Sequence, residues 1–171
     1  MEPLFYKEFI ELSVRFINEN TEKIKTCMKE LDEKDVWLRL NEHVNSIANT
    51  MLHLCGNIRQ YVISSVGGQI DIRERDLEFS TTEGFLKDEL LAKLSETVEE
   101  AKSIITSASQ ENLERRRIVQ NTPYTGIGII IHITEHYSYH TGQIILLTKL
   151  FKNKDMGFYA RKDLNGKNAR L

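Results

Sequence analysis

The segment from Gly126 to Leu150 reads GIGIIIHITEHYSYHTGQIILLTKL, a long apolar stretch with His132, His136 and His140 at intervals of four. Four residues is close to one helical turn, so neighbouring members of the series stack on a common face. The segment predicts a long helix in which two successive imidazoles can grip one metal ion. Thr122 followed by Pro123 reads as its start, because a proline at the first helical position gives up no needed N–H. Its end is expected near Phe151.

The remaining apolar residues also fall at helical steps. Phe5, Phe9, Leu12, Phe16, Ile24, Met28 and Leu31 form a first stripe, interrupted by Asn20. Asp32 to His43 breaks the pattern and reads as a connector, with Trp37 packed under the helices and His43 at the surface. A second helix is predicted after a cap at Asn45, through Ile47, Met51, Leu54, Ile58, Tyr61 and Ile63, stopped by Gly67 and Gly68. Asn49, His53 and Asn57 lie four apart on it and make one polar stripe, which faces solvent or lines an internal site. QIDIRERDLEF, Gln69 to Phe79, reads as a charged irregular loop. Ser80 and Glu83 have the form of a capping box before a third helix carrying Leu86, Leu90, Leu94, Val98, Ala101, Ile105 and Ala108.

Leu113 to Val119, with Arg115, Arg116 and Arg117, reads as a solvated turn, since three arginines without interleaved aromatics make a poor nucleic-acid surface. Residues 152–171 read as a polar, basic tail. With no strand pattern in view, the expectation is an all-α four-helix bundle: one domain over 1–171, bundle about 2–151, tail 152–171. Bundle cores commonly hold metal sites built from facing helices.

Composition narrows the partners. A chain of 171 residues is long enough to bury a core without staples, and a formal charge of -2 gives no electrostatic reason to expect nucleic acid or an anionic membrane. Two cysteines, Cys27 and Cys55, in no CxxC arrangement indicate neither a disulfide framework nor a thiolate zinc site, and fit a reducing cytoplasm. Glu2, Glu8 and Glu11 stand where a signal peptide would carry basic and then unbroken apolar residues. No apolar run approaches the roughly 20 residues of a membrane helix.

His136 and His140 form HxxxH, about 6 Å apart along the axis, close enough for one divalent ion. A third ligand must come from elsewhere, and His53, mid-helix on the polar stripe, is the candidate. His132 pairs equally well with His136 on spacing, but stands about 12 Å of rise from His140, too far for both to bind one ion. Three imidazoles suit zinc, nickel, copper or iron and leave positions open. Cys55, two residues from His53, should point away from the ion. Tyr137 and Tyr139 read as core or interface aromatics.

His53-Leu54-Cys55-Gly56-Asn57, together with His136-Tyr137-Ser138-Tyr139-His140-Thr141-Gly142-Gln143, resembles the pattern of the DinB-like superfamily, and Arg73 to Phe79 with the closing GFYARKDLNGK resembles an uncharacterised branch of it. The resemblance implies a four-helix bundle, often dimeric, with His53, His136 and His140 holding nickel or zinc. His132 then stands outside the site, packed or hydrogen-bonded at its end. Some members of the superfamily are metal-dependent transferases or isomerases that conjugate small thiols to electrophiles. Gln143 and Asn57 are candidates to orient an imidazole, and Gly56 and Gly142 to allow close helix approach. The function expected is that of a divalent-metal-binding protein, a hydrolase or thiol S-transferase acting on small molecules, with a non-catalytic metal-binding dimer as the alternative.

Overall fold

The computed structural model describes residues 4–160 and 162–169. Glu2, Arg161 and the last two positions of the expected tail lie outside the described residues. The chain is mostly helical, with seven α-helices and one small hairpin among the described residues. In order these are α1 (Leu4–Glu30), α2 (Glu33–Trp37), α3 (Ile47–Ile58), α4 (Arg75–Ser80), α5 (Lys87–Ser107), α6 (Gln110–Glu114), β1 (Arg116–Val119), β2 (Thr122–Thr125) and α7 (Gly126–Lys152). α1 packs on α7 and α5, and α3 packs on α5 and α7, so each long helix has two long neighbours.

The buried stripe of α1 is Ile10, Ile17 and Ile24, continued by Leu31 beyond its end. These positions repeat every seven residues, two helical turns, and give one continuous seam. Ile24, Met28 and Leu31 are buried as the periodicity predicts, but the aromatic half of the predicted stripe is rotated off the core. Phe5 and Phe16 are exposed at 61% and 41%. Phe9, Leu12 and Phe16 instead line an open groove of about 430 Å³ shared with Ile131 and Thr134 of α7. Two apolar stripes run side by side on this helix, and the β-branched one faces inward.

α3 is capped by Ser46, one residue past the predicted Asn45, with its hydroxyl accepting from the Asn49 N–H at 3.1 Å. It is buried almost all round and continues as an eight-residue π-helix, Arg59–Val66, before Gly67 and Gly68 end it as expected. π-Helical turns are rare and tend to occur at functional sites. The segment predicted as a charged loop contains α4, whose last residue is Ser80. The predicted Ser80–Glu83 capping box is therefore not the start of α5. That helix begins at Lys87, where the Glu89 carboxylate accepts from the Leu86 N–H at 2.8 Å. Its buried face, Leu90, Leu94, Val98, Ala101 and Ile105, is the predicted one.

The expectation of no strands is corrected by the hairpin. β1 and β2 pair antiparallel, Arg116 with Thr125 and Val119 with Thr122, around Gln120 and Asn121. Both turn residues have positive φ (49 and 61), the type I′ arrangement that matches strand twist. Pro123 is tolerated because a two-stranded ribbon has only edge strands. The strands are too short to show alternation, which is why the sequence conceals them. The start of α7 moves accordingly from Thr122–Pro123 to Gly126. Thr125 is its cap, accepting from the Gly128 N–H at 3.1 Å.

Trp37 packs partly against the core and donates to the Phe85 carbonyl at 3.1 Å. Lys152, at the end of α7, reaches Asp32 at 2.7 Å and Asp35 at 2.6 Å, tying that end to α2. In the tail, Met156 and Phe158 pack against the core while the rest is mostly exposed. No helix among the described residues is long and apolar enough to cross a membrane.

The capping assignment is testable. Thr125→Ala should lower stability by about 1 kcal/mol, the usual worth of an N-cap. Thr122→Ala, outside the helix, should cost much less in the same denaturant titration.

Candidate metal centre

α3 and α7 pack against each other, and that contact brings His53 together with His136 and His140. One ring nitrogen from each lies within 4.8 Å of those of the other two. His53 is buried, His136 and His140 half-buried. His53 Nε2 stands 3.1 Å from His136 Nε2. The His140 ring centroid lies 5.0 Å from that of His53 and 4.5 Å from that of His136.

Two of the three rings are fixed from behind. The Nδ1 of His53 is 2.8 Å from Glu78 Oε2, a carboxylate that can only accept, so Nδ1 carries the proton and Nε2 presents its lone pair. The Nδ1 of His140 lies 2.6 Å from Gln143 Oε1, which leaves Nε2 free in the same way. This carboxylate or carbonyl support is what metal-binding histidines ordinarily receive.

Glu78 is itself built in. Arg73 donates through Nε to Oε1 at 2.7 Å and through Nη2 to Oε2 at 2.9 Å, a two-pronged pairing in which both side chains are almost fully buried. Burial alone would push the Glu78 carboxyl up, but hydrogen bonds from Arg73 and then His53 outweigh it and hold the group below its ordinary range. The remaining Arg73 nitrogen donates to Gln60 Oε1 at 2.9 Å, from the π-helical turn. Asn49 clamps the segment by donating to the carbonyls of Glu78 (3.0 Å) and Thr81 (2.7 Å), and Arg39 joins Asn49 to the Phe79 carbonyl.

Gly56 gives this carboxylate its room. A Cβ there would fall 1.8 Å from Glu78 Oε1, so the glycine serves the approach of Glu78, where helix-to-helix contact was expected. Gly142, also expected to allow close approach, faces open space.

Arg73 and Glu78 were not picked out as individual site residues by sequence reasoning. They sit in a segment of mixed charge with no periodicity, and only its likeness to the DinB-like pattern drew notice to it. The glycine inside a buried helix is the local clue, since it costs about 1 kcal/mol of helix propensity unless something must come close.

Other expected residues separate clearly. His132 is not in the trio; its ring stacks on Tyr61 with centroids 4.3 Å apart. His43 is exposed. Cys55 is buried, and burial pushes its thiol up to about 11 despite a hydrogen bond with Thr97 of α5. Tyr137 is core, its hydroxyl 3.0 Å from Thr21 Oγ1, and Tyr139 is exposed. Asn57 is buried near His53 but makes no hydrogen bond that would orient it.

The donor set fits a divalent transition ion. Ligands at about 2.1 Å from one ion stand about 3.0–3.4 Å apart for ordinary coordination angles, and the His53–His136 pair already has that separation. Burial, then the neighbouring His140, His53 and His132, lower His136 to about 3. Burial likewise lowers His140, against the hydrogen bond that its Nδ1–H donates to Gln143. Both lone pairs are thus available at neutral pH, as ligation requires.

Against this geometry the comparisons fall into place. The fold is DinB-like. A conserved protein from Enterococcus faecalis aligns with a TM-score of 0.72 at 15% identity, over 84% of this chain and 97% of that one. The DinB-like protein YjoA of Bacillus subtilis aligns at 0.63 and 14%, over 86% and 94%. A histidine-to-alanine variant of mycothiol-dependent maleylpyruvate isomerase aligns at 0.61 and 10%, over 79% of this chain and 60% of that chain. Comparison with curated proteins finds no match. Residues 5–160 match the model of the family described as Protein of unknown function (DUF1572), and the chain belongs to that family.

Two outcomes follow. Gly56→Ala should leave the fold intact and displace Glu78, and Glu78→Gln should remove its charge; each should weaken zinc binding roughly 10- to 100-fold in a competitive chelator titration. The second concerns pH. With His136 at about 3 when folded against 6.5 otherwise, the unfolded chain takes up a proton that the folded chain refuses. Stability measured in chelator should therefore fall as pH drops from about 6.5 towards 3, and Glu78, also lowered, adds to the loss in the acid part of that range. His136→Gln should flatten the upper part of the profile.

Proposed function

We propose that His53, His136 and His140 together hold one divalent transition ion, nickel or zinc, and that the chain is a metal-dependent enzyme acting on small molecules. The observation that carries this reading is the convergence of three ring nitrogens within 4.8 Å, with His53 and His140 oriented from behind by Glu78 and Gln143. Three protein ligands leave the open position that separates a catalytic site from a structural one. When bound, the ion supplies Lewis acidity that lowers the pKa of a thiol or water.

The chain's own residues hold and orient. Arg73 fixes Glu78, Glu78 fixes the proton of His53 on Nδ1, and Gln143 does the same for His140. Thiol transfer is the reaction type favoured over hydrolysis, because a neighbour of the same fold is by name a mycothiol-dependent isomerase. The thiol and its electrophile enter as substrates, since Cys55 is buried, raised and turned towards α5.

The alternative, a non-catalytic metal-binding protein, has one observation on its side. Glu78, the carboxylate beside the trio, is fully engaged by Arg73 and His53 and is not free to act as a general base.

The same reading takes the four long helices as a DinB-like four-helix bundle in one domain, and as one half of a homodimer. The apolar groove between α1 and α7, with exposed Phe16 and Ile131 on its walls, offers the surface for a second copy.

The untagged protein should carry stoichiometric metal, lost in His136→Ala, and should conjugate a low-molecular-weight thiol to a chromogenic electrophile in a metal-dependent way. Stoichiometric metal without conjugation or hydrolysis would favour the non-catalytic alternative, and absence of metal would defeat both. Sedimentation should show a dimer at micromolar concentration that Phe16→Glu dissociates.

A further inference from the structure

A cavity of about 570 Å³ lies between α3, the segment from Ile72 to Phe85 that carries α4, and α5. Arg73 and Glu78 line it, but the three histidines do not, so it is a space of its own beside the support of the trio. Its size falls within the range of small-molecule pockets, about 300–1,000 Å³. Leu52, Cys55 and Thr97 give it a buried inner wall. Its lip is apolar and wet: Ile72 is 68% exposed and Leu77 55%. The apolar part of a ligand would take both out of water, which favours binding in proportion to the area covered.

The charges on the wall decide what kind of ligand that is. Lys93, Glu96 and Glu100 follow each other along α5 at steps of three and four, on one face of the helix. Glu100 pairs with Arg59 at 3.5 Å, and Glu78 with Arg73 at 2.7 Å, so these four charges cancel in two pairs. Lys93, Glu74 and Glu96 remain, all exposed, and among the described residues none of them enters an ion pair. A simple anion drawn to Lys93 meets the two carboxylates, and a simple cation drawn to the carboxylates meets Lys93. A molecule that carries both charges on an apolar body suits all three.

We propose that this cavity is a binding site for a small zwitterion with an apolar body, the chemistry of an apolar dipeptide with both termini free. Its ammonium faces Glu74 and Glu96, its carboxylate faces Lys93, and its side chains lie against Leu52, Ile72 and Leu77. The site stands apart from the metal-centre reading, since no ligand of the trio takes part in it.

The test titrates the full chain with leucyl-leucine by calorimetry, in the presence of a chelator that keeps metal out of the measurement. N-acetyl-leucyl-leucine removes the ammonium, and leucyl-leucinamide removes the carboxylate. Leucyl-leucine should bind saturably at one site, and each blocked form should bind roughly three- to tenfold more weakly, as loss of one charged contact at a partly open wall implies. The double variant Glu74→Gln, Glu96→Gln should lose the discrimination against the N-acetyl form alone, and Lys93→Met the discrimination against the amide alone. All three residues are exposed, and Gln and Met sustain a helix about as well as Glu and Lys, so the variants keep the fold. Each variant carries its half of the test without the other. No saturable binding of leucyl-leucine, blocked forms that bind as tightly as the parent, or discrimination that survives in the variants overturns the site, and leaves the metal centre standing.

Discussion

The structure around the trio depends on one buried carboxylate. Glu78 is out of water, where an unpaired charge is expensive, and it is held there by the two-pronged pairing with Arg73 and the proton of His53. The arrangement runs in one direction: the guanidinium fixes the carboxylate, the carboxylate fixes the tautomer, and the tautomer decides which nitrogen of His53 meets α7. Gly56 makes room for the carboxylate, Asn49 clamps the backbone that bears it, and Gln60 holds the far side of Arg73. Gly56, Asn49 and Gln60 act on the trio only through Glu78 and Arg73, yet together they set the geometry of the one ring that comes from outside α7.

That dependence explains the form of the fold near the site. α4 is a short helix with no apolar stripe of its own, and it meets α3 through the hydrogen bonds of Glu78 and through the Phe79 ring against His53. The π-helical end of α3 is wider than an α-helix, and it brings Gln60 within reach of Arg73 while setting Tyr61 against His132. α7 contributes two rings through regular spacing alone, whereas α3 contributes one ring and most of the support. The long helices thus provide a rigid frame, and the charged segment laid over α3 gives the frame its chemistry.

The long helices were legible in the sequence because burial writes its period into it. Leu90, Leu94, Val98 and Ile105 announce α5, and the histidine ladder announces α7. In the first helix Ile24, Met28 and Leu31 face inward, but Phe5 and Phe16 belong to a second apolar stripe that looks outward. Periodicity counts apolar residues and does not say which of two parallel stripes meets the core. The hairpin escaped notice because strands of four residues, one with a proline, carry too little alternation. The convergence of His53 with His136 and His140 was legible from spacing and family likeness. Its support was not, since nothing local to Arg73 and Glu78 says that their segment folds back over Gly56.

We propose that three ring nitrogens from two helices hold one ion. Anomalous diffraction from crystals of the zinc-loaded protein, recorded on either side of the metal edge, tests it most directly. One strong peak is expected at about 2.1 Å from Nε2 of His53, His136 and His140, with Nδ1 of His53 still on Glu78. A peak ligated by His132 in place of His140, or by Cys55, or no ordered peak at the trio, would contradict it.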